Sequence, residues 1–208
     1  MNLLVLGATG PTGRQLVDLA LRPGDTVTAL ARNPAALGDL ADRITVVMGD
    51  ATSQRDVAAA ALGRDVIISA LGQGRSLNPD GLFSRASAAV IGAAKQQGVF
   101  PSGVDVVLRR GRDLRLGDRC AEDHVRHVAS AVYADKKIAD DRIRDSGLDW
   151  TLVFPTGLTN RPAKGTYRVD DRIRMKGARM ISRADVAAFR HQAAQGSEWI
   201  GRDAAITN

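Results

Sequence analysis

Residues 2–17 read NLLVLGATGPTGRQLV, and the fold follows from how this stretch is parsed. A short apolar run, Leu3 to Leu6, stops at Gly7, and after Gly10 and Gly13 an amphipathic pattern begins with Leu16, Val17 and Ala20. The order is strand, glycine turn, helix. Glycine is required where the backbone bends sharply and approaches a pyrophosphate, while the helix amino end aims its free N–H groups and positive dipole at the phosphates. Thr9 and Thr12 add hydroxyl donors on either side of Gly10 and Pro11. The spacing is G-x-x-G-x-x-G, not the G-x-G-x-x-G of ordinary dinucleotide binders, so the flanking strand and helix carry the weight. The competing reading is a tight turn that binds no nucleotide.

GATGPTG resembles the opening of the NAD(P)-binding short-chain dehydrogenase/reductase superfamily, in its atypical branch of NmrA-like and flavin reductase-like proteins, which includes the biliverdin-IXβ reductases. The resemblance covers residues 1–99 and 133–208, most specifically Gly7–Gly13 and Ser146–Pro155. It implies an α/β fold of Rossmann type: a doubly wound parallel sheet in three αβα layers, forming one domain over residues 1–208.

The whole chain sets bounds on this reading. Its 208 residues suffice for one α/β domain with a real core, and 44% hydrophobic and 25% charged residues describe an ordinary globule. No apolar run is long enough to span a bilayer and the amino end enters a strand directly, so a cytoplasmic protein without a membrane partner is expected. The single Cys120 excludes an internal disulfide framework. A formal charge of +6 favours acidic ligands, either nucleic acid or a phosphate-rich cofactor. Few aromatic residues are present for base stacking, and no helix-turn-helix accompanies the basic 109–126 segment, which disfavours a nucleic-acid partner.

Beyond the first helix, Thr26 to Ala31 is a second strand ending at Arg32. An acidic residue at this place holds the adenosine ribose, whereas an arginine can grip a 2′-phosphate, so NADP (as NADPH) is expected over NAD. A solvated surface arginine is the bland alternative. A short helix over 34–41 and a strand over 44–48 lead to Asp50 and Ala51. The resemblance places such an aspartate against the adenine amino group; its other reading is a turn or cap carboxylate, a job Thr52 or Ser53 could share, ahead of a helix over 54–62. Residues 65–70 make a buried central strand, after which Ala70, Leu71 and Gly72 should lie along the cofactor's ribose and diphosphate. A polar loop over 75–80 and a helix over 81–97 follow.

Residues 100–132 depart from the pattern. A fifth strand is available over 104–108, but the resemblance calls for a serine-bearing turn after it, and Arg109-Arg110-Gly111-Arg112 stands there instead. Two readings stay open: a specialised basic loop, or a segment out of frame relative to its relatives, since shifted reading of GC-rich DNA yields Arg-, Gly- and Asp-rich peptide. Cys120, His124 and His127 have spacing that a metal site on one helical face would need, yet no second ligand cluster accompanies them, and no metal is expected.

Order returns with a helix over 133–146, its inner face drawn from Ile138, Ala139, Arg142 and Ile143. Tyr133 and Lys137 have the Tyr-x-x-x-Lys spacing of short-chain dehydrogenases, in which the lysine holds the nicotinamide ribose and lowers the tyrosine's pKa for proton transfer. Counting back from Ser146-Gly147-Leu148 puts the family lysine on Lys136 and the tyrosine position on Val132. Residues 148–155 form a strand, and the resemblance sets Pro155 and Thr156 facing the nicotinamide. The histidine that the resemblance implies near here is replaced by Gly157. A hairpin over 165–180, a helix opened by Ser182 and Asp185, and a final strand over 204–207 that closes the sheet complete the chain.

The function expected is an NAD(P)H-dependent reductase, NADPH-preferring, moving hydride to a flavin, quinone or other small conjugated acceptor. The alternative is an NmrA-like NADP sensor that signals to a protein partner without turnover.

Overall fold

The computed structural model describes residues 1–72, 80–97, 104–106, 122–171 and 179–208. In chain order the elements are β1 (Asn2–Leu6), α1 (Pro11–Leu21), β2 (Thr26–Ala31), a 3-10 segment (Pro34–Arg43), β3 (Thr45–Met48), α2 (Gln54–Ala61), β4 (Val66–Ser69) and α3 (Leu82–Gln97). They continue with β5 (Val104–Val106), α4 (Glu122–Arg144), β6 (Trp150–Pro155), β7 (Gly157–Thr159), β8 (Arg168–Asp170), β9 (Met180–Ser182), α5 (Arg183–Gln195) and β10 (Arg202–Thr207). The loops over 75–80 and 109–121, Cys120 and the doubtful reading frame fall largely outside the described residues, as do the side chains of His124 and His127.

Eight strands form one sheet in the order β3-β2-β1-β4-β5-β6-β10-β8, all parallel except β8. The chain runs outward from β1 through β2 to β3, then crosses to β4 on the other side of β1. That reversal creates a crevice at the carboxyl ends of β1 and β4, where doubly wound sheets bind ligands. Strand β1 shows why the sheet is buried on both sides. Its side chains alternate by the two-residue pleat, so that Leu3 and Val5 join the core beneath α1 while Leu4 and Leu6 join the core beneath α2, α3 and α4. Helix α5 packs beside α1 on the first face, and α2, α3 and α4 pack in sequence on the second.

Several expectations change in detail. The segment after β2 is 3-10 and is interrupted at Gly38, whose φ of +56° breaks the helical path. Helix α4 starts at Glu122, eleven residues before the expected Tyr133. Within it Ala139 and Ile143 are buried one turn apart, whereas Ile138, one residue of rotation away, is exposed. The described residues at the two ends of the hairpin expected over 165–180 do not pair with each other. Its first half is β8, antiparallel to β10 at the sheet edge, and its last residues are β9, paired in parallel with β7 in a separate two-stranded sheet. Alternating residues specify a strand but not its partner, and here the partners are distant in sequence. The final strand therefore lies one place in from the edge instead of closing the sheet.

Candidate functional site

The glycine turn joins β1 to α1 at the crevice. Gly7 has φ +81°, and a Cβ there would lie 2.7 Å from the Ala70 carbonyl oxygen at the end of β4. At Gly13 a Cβ would run into the Gly7 carbonyl. Both glycines are needed: one to turn under β4, the other to seat the helix against the turn. The Gly10 N–H donates to the Gly7 carbonyl at 3.0 Å, and Arg14 N–H to the Gly10 carbonyl at 2.9 Å. Helix α1 begins at Pro11, with Gly10 in extended conformation as its cap and no side chain capping it. The first-turn amides of Thr12 and Gly13 have no partner within the helix, and proline at the first position removes a donor that would be unsatisfied anyway. This is a glycine cradle at a helix amino end with no capping side chain, the kind of terminus whose free N–H groups suit an anion such as a diphosphate.

The remaining binding candidates sit at neighbouring strand ends. Arg32 directly follows β2 and is exposed. Asp50 and the buried Ala51 follow β3 by two and three residues, and Ala70, Leu71 and Gly72 directly follow β4. The Asp50 carboxylate accepts the Thr52 N–H at 2.8 Å, so the turn role is realised, while Ser53 caps α2 by accepting the Asp56 N–H. The Thr52 N–H, opposed by burial and assisted by the charges of Arg32 and Arg85, holds the Asp50 carboxyl below its usual range. Arg85, from the first turns of α3, also donates to the Thr52 hydroxyl at 3.0 Å. Sequence reasoning missed this second arginine, because nothing local to Arg85 marks it: only the packing of α3 on α2 brings it to the β3 end.

At the other side of the cleft Pro155 ends β6 and is buried, and the buried Thr156 hydroxyl donates to Thr207 at 3.1 Å. Strands β1, β2, β3, β4 and β6 thus bring all the cofactor candidates to one edge of the sheet.

The catalytic candidates are less well assembled. Lys137, with its side chain 76% exposed, forms a surface ion pair with Asp141 one turn along α4. Lys136 instead lies over the Phe83 ring of α3, 4.8 Å from its centre, and 5.9 Å from the centre of the Tyr133 ring. Tyr133 is 41% exposed. The structure therefore sets Lys136, not Lys137, beside the start of α3. No cluster able to hold a metal ion occurs among the described residues, and none of their helices is long and apolar enough to cross a membrane.

Comparisons with known proteins agree with this geometry. Residues 7–196 match the NAD(P)H-binding family. A Bacillus subtilis (strain 168) protein named as the uncharacterized sugar epimerase YhfK is 29% identical over 198 residues, 90% of this chain and 85% of that protein. Among solved structures, the anaerobillin reductase ChuY from Escherichia coli O157:H7 superposes with a TM-score of 0.79 at 27% identity, over 99% of this chain and 96% of its own. A short-chain dehydrogenase/reductase from Veillonella parvula in complex with NADP shares the fold, with a TM-score of 0.74 at 17% identity, over 100% and 94% of the two chains. With the glycine cradle at the sheet reversal and a match from Gly7 onward, the chain belongs to the NAD(P)H-binding family, a Rossmann-fold group whose structural relatives include reductases.

Proposed function

We propose that the protein is an NADPH-dependent reductase that passes hydride to a flavin, quinone or other small conjugated acceptor. The observation that carries this reading is the charge at the adenosine end of the cleft. Arg32 stands exposed at the end of β2, and Arg85 reaches the adjacent Asp50–Thr52 turn. Two guanidinium groups here suit a 2′-phosphate, which NADPH has and NADH lacks. Bound NADPH supplies the hydride; the chain holds and orients it, with the Gly7–Gly13 cradle on the diphosphate and Pro155 with Leu71 beside the nicotinamide. Lys136 anchors the ribose, and Tyr133 is the candidate proton donor.

One observation favours the second reading, an NADP sensor without turnover. Lys137 is committed to Asp141, so the Tyr-x-x-x-Lys pair is not set up for proton transfer. Titration with NADPH and NADH, followed by cofactor oxidation with flavin and quinone acceptors, separates the two. NADPH-selective binding with turnover supports the reductase; binding without turnover on any acceptor supports the sensor, and preference for NADH overturns the role given to Arg32.

A further inference from the structure

Arg14 lies in the first turns of α1, and its backbone already belongs to the cradle, its N–H donating to the Gly10 carbonyl at 2.9 Å. Its side chain makes a longer link. The Nε–H donates to the Thr9 carbonyl, inside the glycine turn, at 3.4 Å, and a terminal N–H of the same guanidinium donates to the Ala36 carbonyl. Ala36 sits in the 3-10 segment Pro34–Arg43, four residues after Arg32. The Ala36 N–H in turn donates to the Asn33 carbonyl at 3.1 Å, which closes the turn between Arg32 and that segment. One planar group therefore joins the β1–α1 turn to the chain that follows β2, 22 positions further along. Leu37 and Leu40 anchor the same segment in the core beneath α1, so the tether acts on a piece of chain that is already packed.

We propose that Arg14 is a positioning residue for cofactor selectivity: by tying the glycine turn to the segment after Arg32, it fixes the spacing between the diphosphate site and the 2′-phosphate site. The inference rests on the NADPH reading of the cleft and deepens it. A 2′-phosphorylated dinucleotide is gripped at two points of its adenosine half. The second grip adds its full affinity only where the spacing of the two sites is pre-set to that of the ligand. Guanidinium–phosphate pairing is directional, so the Arg32 contact suffers most when that spacing drifts, whereas NADH, which lacks the 2′-phosphate, loses little. Two of Arg14's own donors are committed to main-chain carbonyls, and it acts through Arg32. Geometry, not charge, is what the position requires. A lysine ammonium is a compact point charge on a flexible stem and lacks the rigid fork that reaches both carbonyls together.

The test is a set of NADPH and NADH titrations on the full chain and on Arg14→Lys, Arg14→Met, Arg32→Ala and the Arg14→Lys/Arg32→Ala double variant, with thermal unfolding of each. Arg14→Lys keeps the charge and most of the stem, so it carries the test even where the methionine variant folds poorly. It should raise the Kd for NADPH by about fivefold or more and leave that for NADH within about twofold. Arg14→Met should lose the same share of selectivity. In the Arg32→Ala background, Arg14→Lys should weaken NADPH no more than it weakens NADH, because the contact it positions is already gone. Parent-like selectivity in Arg14→Lys overturns the proposal, and so does an undiminished loss of NADPH affinity when the change is made on top of Arg32→Ala. A parent chain that shows no preference for NADPH sinks the charge reading of the cleft and this inference with it. A parent preference that survives Arg14→Lys removes the inference alone.

Discussion

At the scale of single residues, the cleft makes two sharp demands. Gly13 has no space for a Cβ because the Gly7 carbonyl occupies it, so Gly13→Ala must push the helix away from the turn. The expected outcome is a lowered unfolding midpoint together with dinucleotide affinity reduced at least about tenfold, since the amides that face the phosphates move with the helix. Thermal unfolding and a cofactor titration on the same sample check both parts. Arg32 makes a different demand, one of selectivity. Arg32→Ala should raise the Kd for NADPH by about tenfold or more while leaving that for NADH within about twofold, because only NADPH presents a phosphate to the missing guanidinium. Equal losses for the two cofactors would contradict the assignment. Both residues could be read from the sequence, because each sits within a few positions of a strand end that local apolar pattern already marks. Arg85 could not, as it reaches Thr52 across 33 positions.

At the scale of elements, the start of α5 shows how a local motif acquires a long-range role. Ser182 caps the helix by accepting the Asp185 N–H at 2.9 Å, as the S-x-x-D pattern predicts. Asp185 does more than serve the box: fully buried, it accepts the Ser182 hydroxyl at 2.8 Å and the N–H groups of Lys164 and Gly165 at 3.1 and 3.0 Å. Burial alone would raise its pKa, but these donors hold it below the usual carboxylate range. A depressed carboxylate contributes stability that is present above the unfolded-state value and is lost as pH falls through the folded one. Ser182→Ala should cost about 1 kcal/mol in denaturant unfolding at neutral pH. Helix α4 supplies the contrasting case. Lys137→Ala removes an exposed ion pair and should change stability by less than about 0.5 kcal/mol, with NADPH affinity unaltered. If it abolished cofactor binding, the choice of Lys136 would be wrong. Sequence spacing could not make that choice, since Tyr133, Lys136 and Lys137 all lie within a turn of one another; the rotation of α4 against α3 decides which lysine faces inward.

At the scale of the whole molecule, the α2–α4 side of the sheet holds Asp140, 7% exposed, with one carboxylate oxygen buried and unbonded. Burial pushes its pKa up to about 7; Arg144 opposes this, and Asp203 and Asp141 add to it. The folded state therefore binds a proton that the unfolded state has already released, so stability falls as pH rises from about 4 towards about 7. Asp140→Asn removes that dependence. Urea unfolding at about pH 5 and about pH 8 should show the variant more stable than the parent at the higher pH, by at least about 1 kcal/mol, with a smaller gap at the lower. A gap that is the same at both pH values would show that Asp140 does not titrate in this range. The neighbouring Arg144–Asp203 pair ties α4 to the amino end of β10, which places Asp140 towards the end of the sheet away from the cofactor cleft.

The sequence by itself determined the alternation of strand and helix, the boundaries of β2 to the residue, and the glycine turn with the residues that follow β2, β3 and β4. These depend on short-range causes: pleat periodicity, helical periodicity, and glycine where the backbone has no space for a side chain. Only the tertiary structure decided which strands flank β10, why β7 and β9 form their own ladder, which lysine of α4 turns inward, and how Arg85 reaches Thr52. Each of these is a contact between residues distant in sequence, set by the packing of whole helices on a shared sheet. No window of local pattern contains both partners, and the geometry that joins them exists only once the core has formed.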